Sequence, residues 1–241
     1  MIKLENTEVS GFPAAIRGMR NPMNSWDKSD SGYGCLGKEG PLSCQDGCAY
    51  RRDCWMDGMG SFKVGDADLK LMKQLIQAGT DHSKFMRMIN VTVDVTAPMY
   101  WWKEADTYKV GTVRNSCSTM HKIQAKEFTL DDFSQEHLDD NGICAFMEDK
   151  VILDTSAYYV FCELIAVLNA YRDMYNDTKD KKWWWQLIQL LPSSYNQRAT
   201  LQLNYAVLRN IYRSRKDHKL DEWHDFCHWI EELPYSELIT I

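Results

Sequence analysis

The sequence predicts an α+β fold in which helices pack around a small, mostly antiparallel sheet. Three observations carry this expectation. Ile89, Val91, Val93 and Val95 alternate with Asn90, Thr92 and Asp94, the period-two pattern of a strand with one wet face. Leu69, Met72, Leu75 and Ile76 form an apolar stripe at helical spacing, between Asp66 as a candidate N-cap and Gly79 as a stop. The second half of the chain is a run of helical stretches with short interruptions, and together with the isolated strand pattern this points to α+β rather than alternating βαβ units.

The elements follow in order. Residues 2–9 suit a short strand. Residues 20–65 are rich in Gly, Asp, Ser and Cys and show no sustained period, so they read as a long irregular insertion in a single 1–241 domain. The helix at 66–78 and the strand at 86–96 come next, the latter ended by Ala97-Pro98. MYWWKEADTYK then reads as a helix opened by proline, 111–128 as a loop with some extended structure, and Thr129 with Asp131 and Asp132 as the start of a short helix. VILDTSAYYVFCELIAVLNAYRDMY, 151–175, is apolar round most of its surface and reads as one long helix buried on several sides, within the domain or by a partner subunit. Lys181–Leu191, 196–213 and 220–232 complete the helices.

Composition narrows the function. Hydrophobic residues make up 44% of the 241, enough for a real core, and the formal charge is -6. A net negative chain argues against general nucleic-acid binding, which rests on phosphate neutralisation. No apolar run is long enough to span a bilayer and the N-terminus lacks a signal-peptide pattern, so cytoplasmic residence is expected. Nine Trp and twelve Tyr favour a packed core, an oligomer interface or a surface on which planar ligands stack.

Against that acidic background one segment stands out. Between Arg198 and Lys219 the chain carries six Lys or Arg and one Asp. A local basic cluster suits an anionic ligand held at one place, or a solvated helix face. Asn204 and Arg215 lie eleven residues apart, about three helical turns, and would share a face of one helix. A guanidinium suits bidentate phosphate recognition, and an amide offers both donor and acceptor to a heterocycle.

Leu191-Pro192, Asn204, Asn210 and Arg215 resemble, in type and spacing, the C-terminal part of the flavin-dependent thymidylate synthases. Further segments carry the resemblance: Ala15-Ile16-Arg17, the turn DHSKF at 81–85 between helix and strand, and DTYKVGTVRNSCSTMHK at 106–122. It covers most of residues 10–230 apart from the insertion. Thr107-Tyr108-Lys109 stands where the family has Arg-His-Arg, and the last Arg of its signature is Met120 or His121 here. The resemblance implies that Ser83, Asn204 and Asn210 contact the flavin and that Lys109 keeps one positive charge toward it, without an arginine's fork. It implies that Arg215 grips the phosphate of a pyrimidine nucleotide, with Glu104 near an orienting Gln position and Ser118 matching a downstream Ser. FAD as cofactor, a folate one-carbon donor and NADPH as co-substrates, methylation of dUMP (or another one-carbon modification of a pyrimidine deoxynucleotide) and a homotetramer belong to the same implication.

Two other readings stay open: a nucleotide- or flavin-binding protein of that fold without turnover, and a metal-stabilised interaction module. The latter rests on Cys35, Cys44, Cys48 and Cys54, four thiols within twenty residues that could enclose a structural zinc or an iron–sulfur cluster. Cys162 is expected in the core. Cys117 is a candidate nucleophile that no histidine is placed by sequence to activate. His224 and His228, four residues apart, lack a third ligand in register and read as surface or packing residues.

Overall fold

The computed structural model describes residues 2–33, 62–147 and 150–241, with the backbone alone for 143–147 and 150–154. Its centre is a four-stranded antiparallel sheet in the order β1-β4-β8-β5, formed by β1 (Lys3–Ser10), β4 (Asn90–Pro98), β5 (Val113–Ser116) and β8 (Asn196–Asn204). The alternation read from the sequence is what places β4 in the middle: Ile89, Val91, Val93 and Val95 are all wholly buried. Its partner is in register, with Val91 opposite Leu203, Val93 opposite Leu201 and Val95 opposite Ala199. Such cross-strand apolar pairs are the unit of sheet stabilisation. On the wet face, Asp94 accepts hydrogen bonds from Thr200, Asn6 and Arg198, which hold its carboxyl down at about 2.

Helices cover the apolar face: α1 (Phe12–Arg20), α2 (Asp66–Gln77), α3 (Met99–Ala105), α7 (Tyr205–Arg215), α8 (Asp221–Glu231) and α9 (Glu237–Thr240). Their buried side chains form one core with the sheet, including Met72, Ile76, Trp101, Tyr205, Leu208, Trp223 and Phe226. A second, smaller core joins Phe128, Phe133, Phe161, Ile165, Leu168 and Leu187, between the loop after α4 (Thr119–Lys122) and the pair α5 (Ala157–Thr178) and α6 (Lys181–Leu190). The α+β expectation therefore holds, helices around a small antiparallel sheet.

Several expectations are corrected. The segment 196–213 is not one helix: Asn196–Asn204 is strand β8, and the helix begins at Tyr205. Ala199, Leu201 and Leu203 alternate in burial, a period-two pattern masked by its continuation into α7. Asn204 and Arg215 thus mark the two ends of α7 rather than one continuous face. The long helix expected from 151 begins at Ala157, because Lys150–Thr155 is strand β7, paired with β6 (Ile143–Met147). Within this chain α5 buries one face, through Phe161, Ile165 and Leu168, while Tyr159, Val160, Val167 and Met174 stay exposed. Cys162 is half-buried rather than core. Gly65, not Asp66, is the N-cap of α2, and Asp30 receives the amides of Ala67 and Asp68 at its first turn.

The ends of the insertion are tied together. β2 (Gly32–Tyr33) pairs with β3 (Phe62–Lys63). Beneath them Arg20 and Asp68 form a buried ion pair at 2.6 Å. Asp68 also accepts from Ser29 and Ser31, each at 2.6 Å, and Arg20 donates to the Ser25 carbonyl at 3.0 Å.

Candidate functional site

The groove with most of the sequence-named residues lies where β8 hands over to α7. Asn204 is the last residue of the strand and the N-cap of the helix, its side chain accepting from the Val207 amide at 3.1 Å. That bond satisfies one of the amides a helix start leaves unpaired. The loop that follows α3, residues 107–111, packs against the same turn. Gly111 sits at φ +80°, and a Cβ there would come within 2.9 Å of the Asn204 amide nitrogen and 3.2 Å of Val207. Any side chain would meet both a strained backbone and the groove wall. Gly111→Ala is expected to cost about 1–2 kcal/mol of stability, read by urea denaturation; a variant as stable as the parent would refute the tight packing of loop on helix.

Between loop and helix lies a hollow of about 620 Å³ lined by Arg87, Thr107, Tyr108, Lys109, Asn204 and Asn210, among others. A second hollow of about 270 Å³ adjoins it and shares Arg87, Ala206 and Asn210; Ser83, Arg209 and Arg213 complete its polar wall. Ala206, Asn210 and Arg213 follow the i, i+4, i+7 spacing of one helical face. Lys109, Asn204 and Asn210 thus line the first hollow and Ser83 the second, with Asn210 on the wall of both.

Sequence reasoning missed the cations of this groove. Arg209 and Arg213 sit one turn apart on α7, and burial, together with the charge of Arg213, pushes the Arg209 guanidinium below its ordinary value. Among the described residues no Asp or Glu side chain lies in ion-pair range of Arg87, Arg209 or Arg213; Arg209 donates to the main-chain oxygen of Ile241 at 3.3 Å. The basic stretch pointed at two of these residues. Arg87 carried no signal, being a lone cation in an apolar segment.

Arg215 stands elsewhere. It lines neither hollow but donates through Nη1 to Glu104 Oε2 at 2.7 Å and through Nε to the Tyr108 hydroxyl at 2.9 Å. The same Glu104 oxygen accepts from the Trp223 indole at 2.9 Å and lies 3.4 Å from His218 Nε2. The Arg215 guanidinium also lies over Trp223, 4.9 Å from the ring centre. The two residues assigned to one substrate are therefore each other's partners, in an ion pair that ties α3 to α7.

Ser118 lies on the far side of β5, exposed, where it caps α4 by accepting from the His121 amide at 3.2 Å; it borders neither hollow. Cys117 is exposed. His224 and His228 lie on the open face of α8 near Asp221, Glu231 and Glu232. Cys35, Cys44, Cys48 and Cys54 lie outside the described residues. Among the described residues no three His, Cys, Asp or Glu converge as a metal site would require, and no helix is long and apolar enough to cross a membrane.

Solved structures similar to this chain include the flavin-dependent thymidylate synthase ThyX of Helicobacter pylori complexed with FAD and dUMP, at 14% identity and a TM-score of 0.62 over 99% of this chain and 98% of that one. The UMP/dUMP methylase PolB of Streptomyces cacaoi, bound with 5-Br dUMP, matches at 13% identity and a TM-score of 0.56 over 100% and 95%. At these identities the likeness establishes the fold. No protein-family model matches the sequence, and no curated protein matches it.

Proposed function

We propose that this chain is a flavin-dependent enzyme that modifies a pyrimidine deoxynucleotide, with methylation of dUMP as the leading reaction. One observation carries the reading. Lys109, Asn204 and Asn210, named for a flavin from sequence resemblance alone, line one hollow, and Ser83, named with them, lines a second that shares Arg87, Ala206 and Asn210 with it. The neighbours that share the fold include an enzyme crystallised with FAD and dUMP and a methylase of UMP and dUMP.

The groove's chemistry fits a dinucleotide cofactor. Asn204 and Asn210 present amides suited to the edge of a flavin ring. Arg87, Arg209 and Arg213 place cationic forks beside Ser83, which suits a diphosphate. The first turn of α7 adds the partial positive charge of a helix N-terminus to the same wall. Reduced FAD held there would supply the hydride for the reaction. The chain's own task is to bind and orient, and a folate one-carbon donor and NADPH complete the proposed set of reactants.

The pairing of Arg215 with Glu104 favours a second reading, a nucleotide- or flavin-binding protein without turnover. Thr107, Tyr108 and Lys109 stand where the signature has Arg-His-Arg, so of its two arginines only one cation remains, without the fork. The homotetramer that the resemblance implies remains part of the proposal, and the exposed Tyr159, Val160, Val167 and Met174 of α5 supply an apolar face for it.

The purified protein is expected to bind FAD, shown by flavin absorbance that survives gel filtration. Asn210→Ala is expected to weaken FAD binding by about 0.5–1.5 kcal/mol, the range of a neutral hydrogen bond, measured by fluorescence titration. A wild-type protein that leaves FAD free in solution at tens of micromolar would remove the reading. FAD binding without conversion of dUMP would favour the second.

A further inference from the structure

Three arginines meet at the second hollow, of about 270 Å³, without an acid to match them. Arg87 enters from the 3-10 turn Lys84–Met88, Arg209 and Arg213 from α7. Arg87 and Arg213 are exposed and Arg209 is half-buried, so these cations are open to a ligand from solvent. Elsewhere Arg20, Arg114, Arg198 and Arg215 each pair with an Asp or Glu side chain. Among the described residues none lies in ion-pair range of the three at this hollow.

The arrangement is costly without an anion. Arg209 and Arg213 stand four residues apart on one helix, where like charges repel and weaken it. That this happens in a chain of formal charge -6 sets the hollow apart from its surroundings. An anion between the two turns repulsion into attraction. Donors remain for it: Arg209 uses Nε on the main-chain oxygen of Ile241, which leaves both Nη groups. Ser83 reaches only the Thr80 carbonyl, over a long 3.4 Å. Asn210 adds an amide to the same wall.

We propose that this hollow is a diphosphate site in its own right, one that takes a free inorganic diphosphate or the diphosphate of a nucleotide and so places cofactor loading under the control of such anions. Guanidinium forks select phosphate oxygens. Three of them, from two elements, ask for more than one phosphate: a monophosphate presents its oxygens around one centre, a diphosphate around two in line. The hollow falls below the roughly 300–1,000 Å³ of small-molecule pockets, which suits a diphosphate rather than the rings attached to it. A free diphosphate held there competes with the diphosphate of FAD. Only this competition rests on the proposed function; the anion site stands without it.

Isothermal titration calorimetry of the full chain with inorganic pyrophosphate, in the absence of flavin, tests it. Saturable binding at one site per chain is expected, with inorganic phosphate about tenfold or more weaker. Arg87→Gln and Arg213→Gln should each weaken pyrophosphate binding about 5–20-fold, the effect of a charge-assisted hydrogen bond reduced by solvent screening. Arg213→Gln should melt at or above the parent's temperature without ligand, since it relieves the repulsion with Arg209, so its loss of binding is not misfolding. Arg215→Ala should leave pyrophosphate binding unchanged, because that guanidinium is already paired with Glu104. In a fluorescence titration, ADP should displace FAD. The proposal is overturned if pyrophosphate fails to bind, if phosphate binds as tightly, if Arg215→Ala carries the loss in place of Arg213→Gln, or if FAD and ADP bind together. A chain that binds pyrophosphate but leaves FAD free would sustain the anion site and remove the flavin reading instead.

Discussion

Asp68→Ala is expected to lower the stability of the whole protein by about 3–5 kcal/mol, measured as the shift in a urea unfolding transition. Asp68 is fully buried, and the variant would leave Arg20 buried without its carboxylate. It would also strip the acceptor from Ser29 and Ser31. The Arg20–Asp68 pair is not stabilising merely because it exists; its desolvation offsets much of its attraction, and the large effect comes from orphaning one member. The double replacement Arg20→Met with Asp68→Leu is therefore expected to recover most of the loss. A single variant that lost less than about 1 kcal/mol, as exposed pairs do, would show that water reaches Arg20.

Glu104→Gln is expected to tighten dUMP binding about tenfold or more, measured by calorimetry. The carboxylate of Glu104 now occupies the guanidinium of Arg215. A neutral amide keeps an acceptor for the Trp223 indole but no longer neutralises the cation, so a phosphate can take that role. Hydrogen bonds to charged groups contribute about 1.5–3 kcal/mol, reduced here because Glu104 is a third exposed and its pair is partly screened. Arg215→Ala should act in the opposite direction. If Glu104→Gln instead weakened dUMP binding as much as Arg215→Ala, Glu104 would be a direct contact to the nucleotide and the pair would form part of the occupied site.

The two variants bear on what the sequence could and could not show. β4 was legible because one face is buried along its whole length, and alternation of Val with polar residues has no other reading. β8 was not, because its alternation runs into α7 without a Gly, Pro or turn cluster, and the joint is made by Asn204 itself. Asn204 and Asn210 were named through the family resemblance, and both line the hollow beside the start of α7 however the strand boundary is drawn. Arg215 and Glu104 were each identified, but their mutual bond was not, since residues more than a hundred positions apart give no sequence signal of contact. Arg87 was invisible for the same reason, since it shares a hollow with residues 107–111 and with α7 only in the folded chain.

The hinge from β8 into α7 has a consequence for how this protein can change. Asn204 closes the first turn of a helix with its side-chain oxygen and lines the hollow proposed for the cofactor. Only Asn, Asp, Ser, Thr and Gly start helices well, and of these Asn alone brings both a donor and an acceptor on an amide. Position 204 is thus constrained by folding, and on the proposed function by recognition as well, and a library randomised there should return few survivors even where selection asks only for a soluble protein. Asn210, exposed in mid-helix, is free of the first constraint, so on the proposed function it is the place where cofactor preference can drift without unfolding the chain.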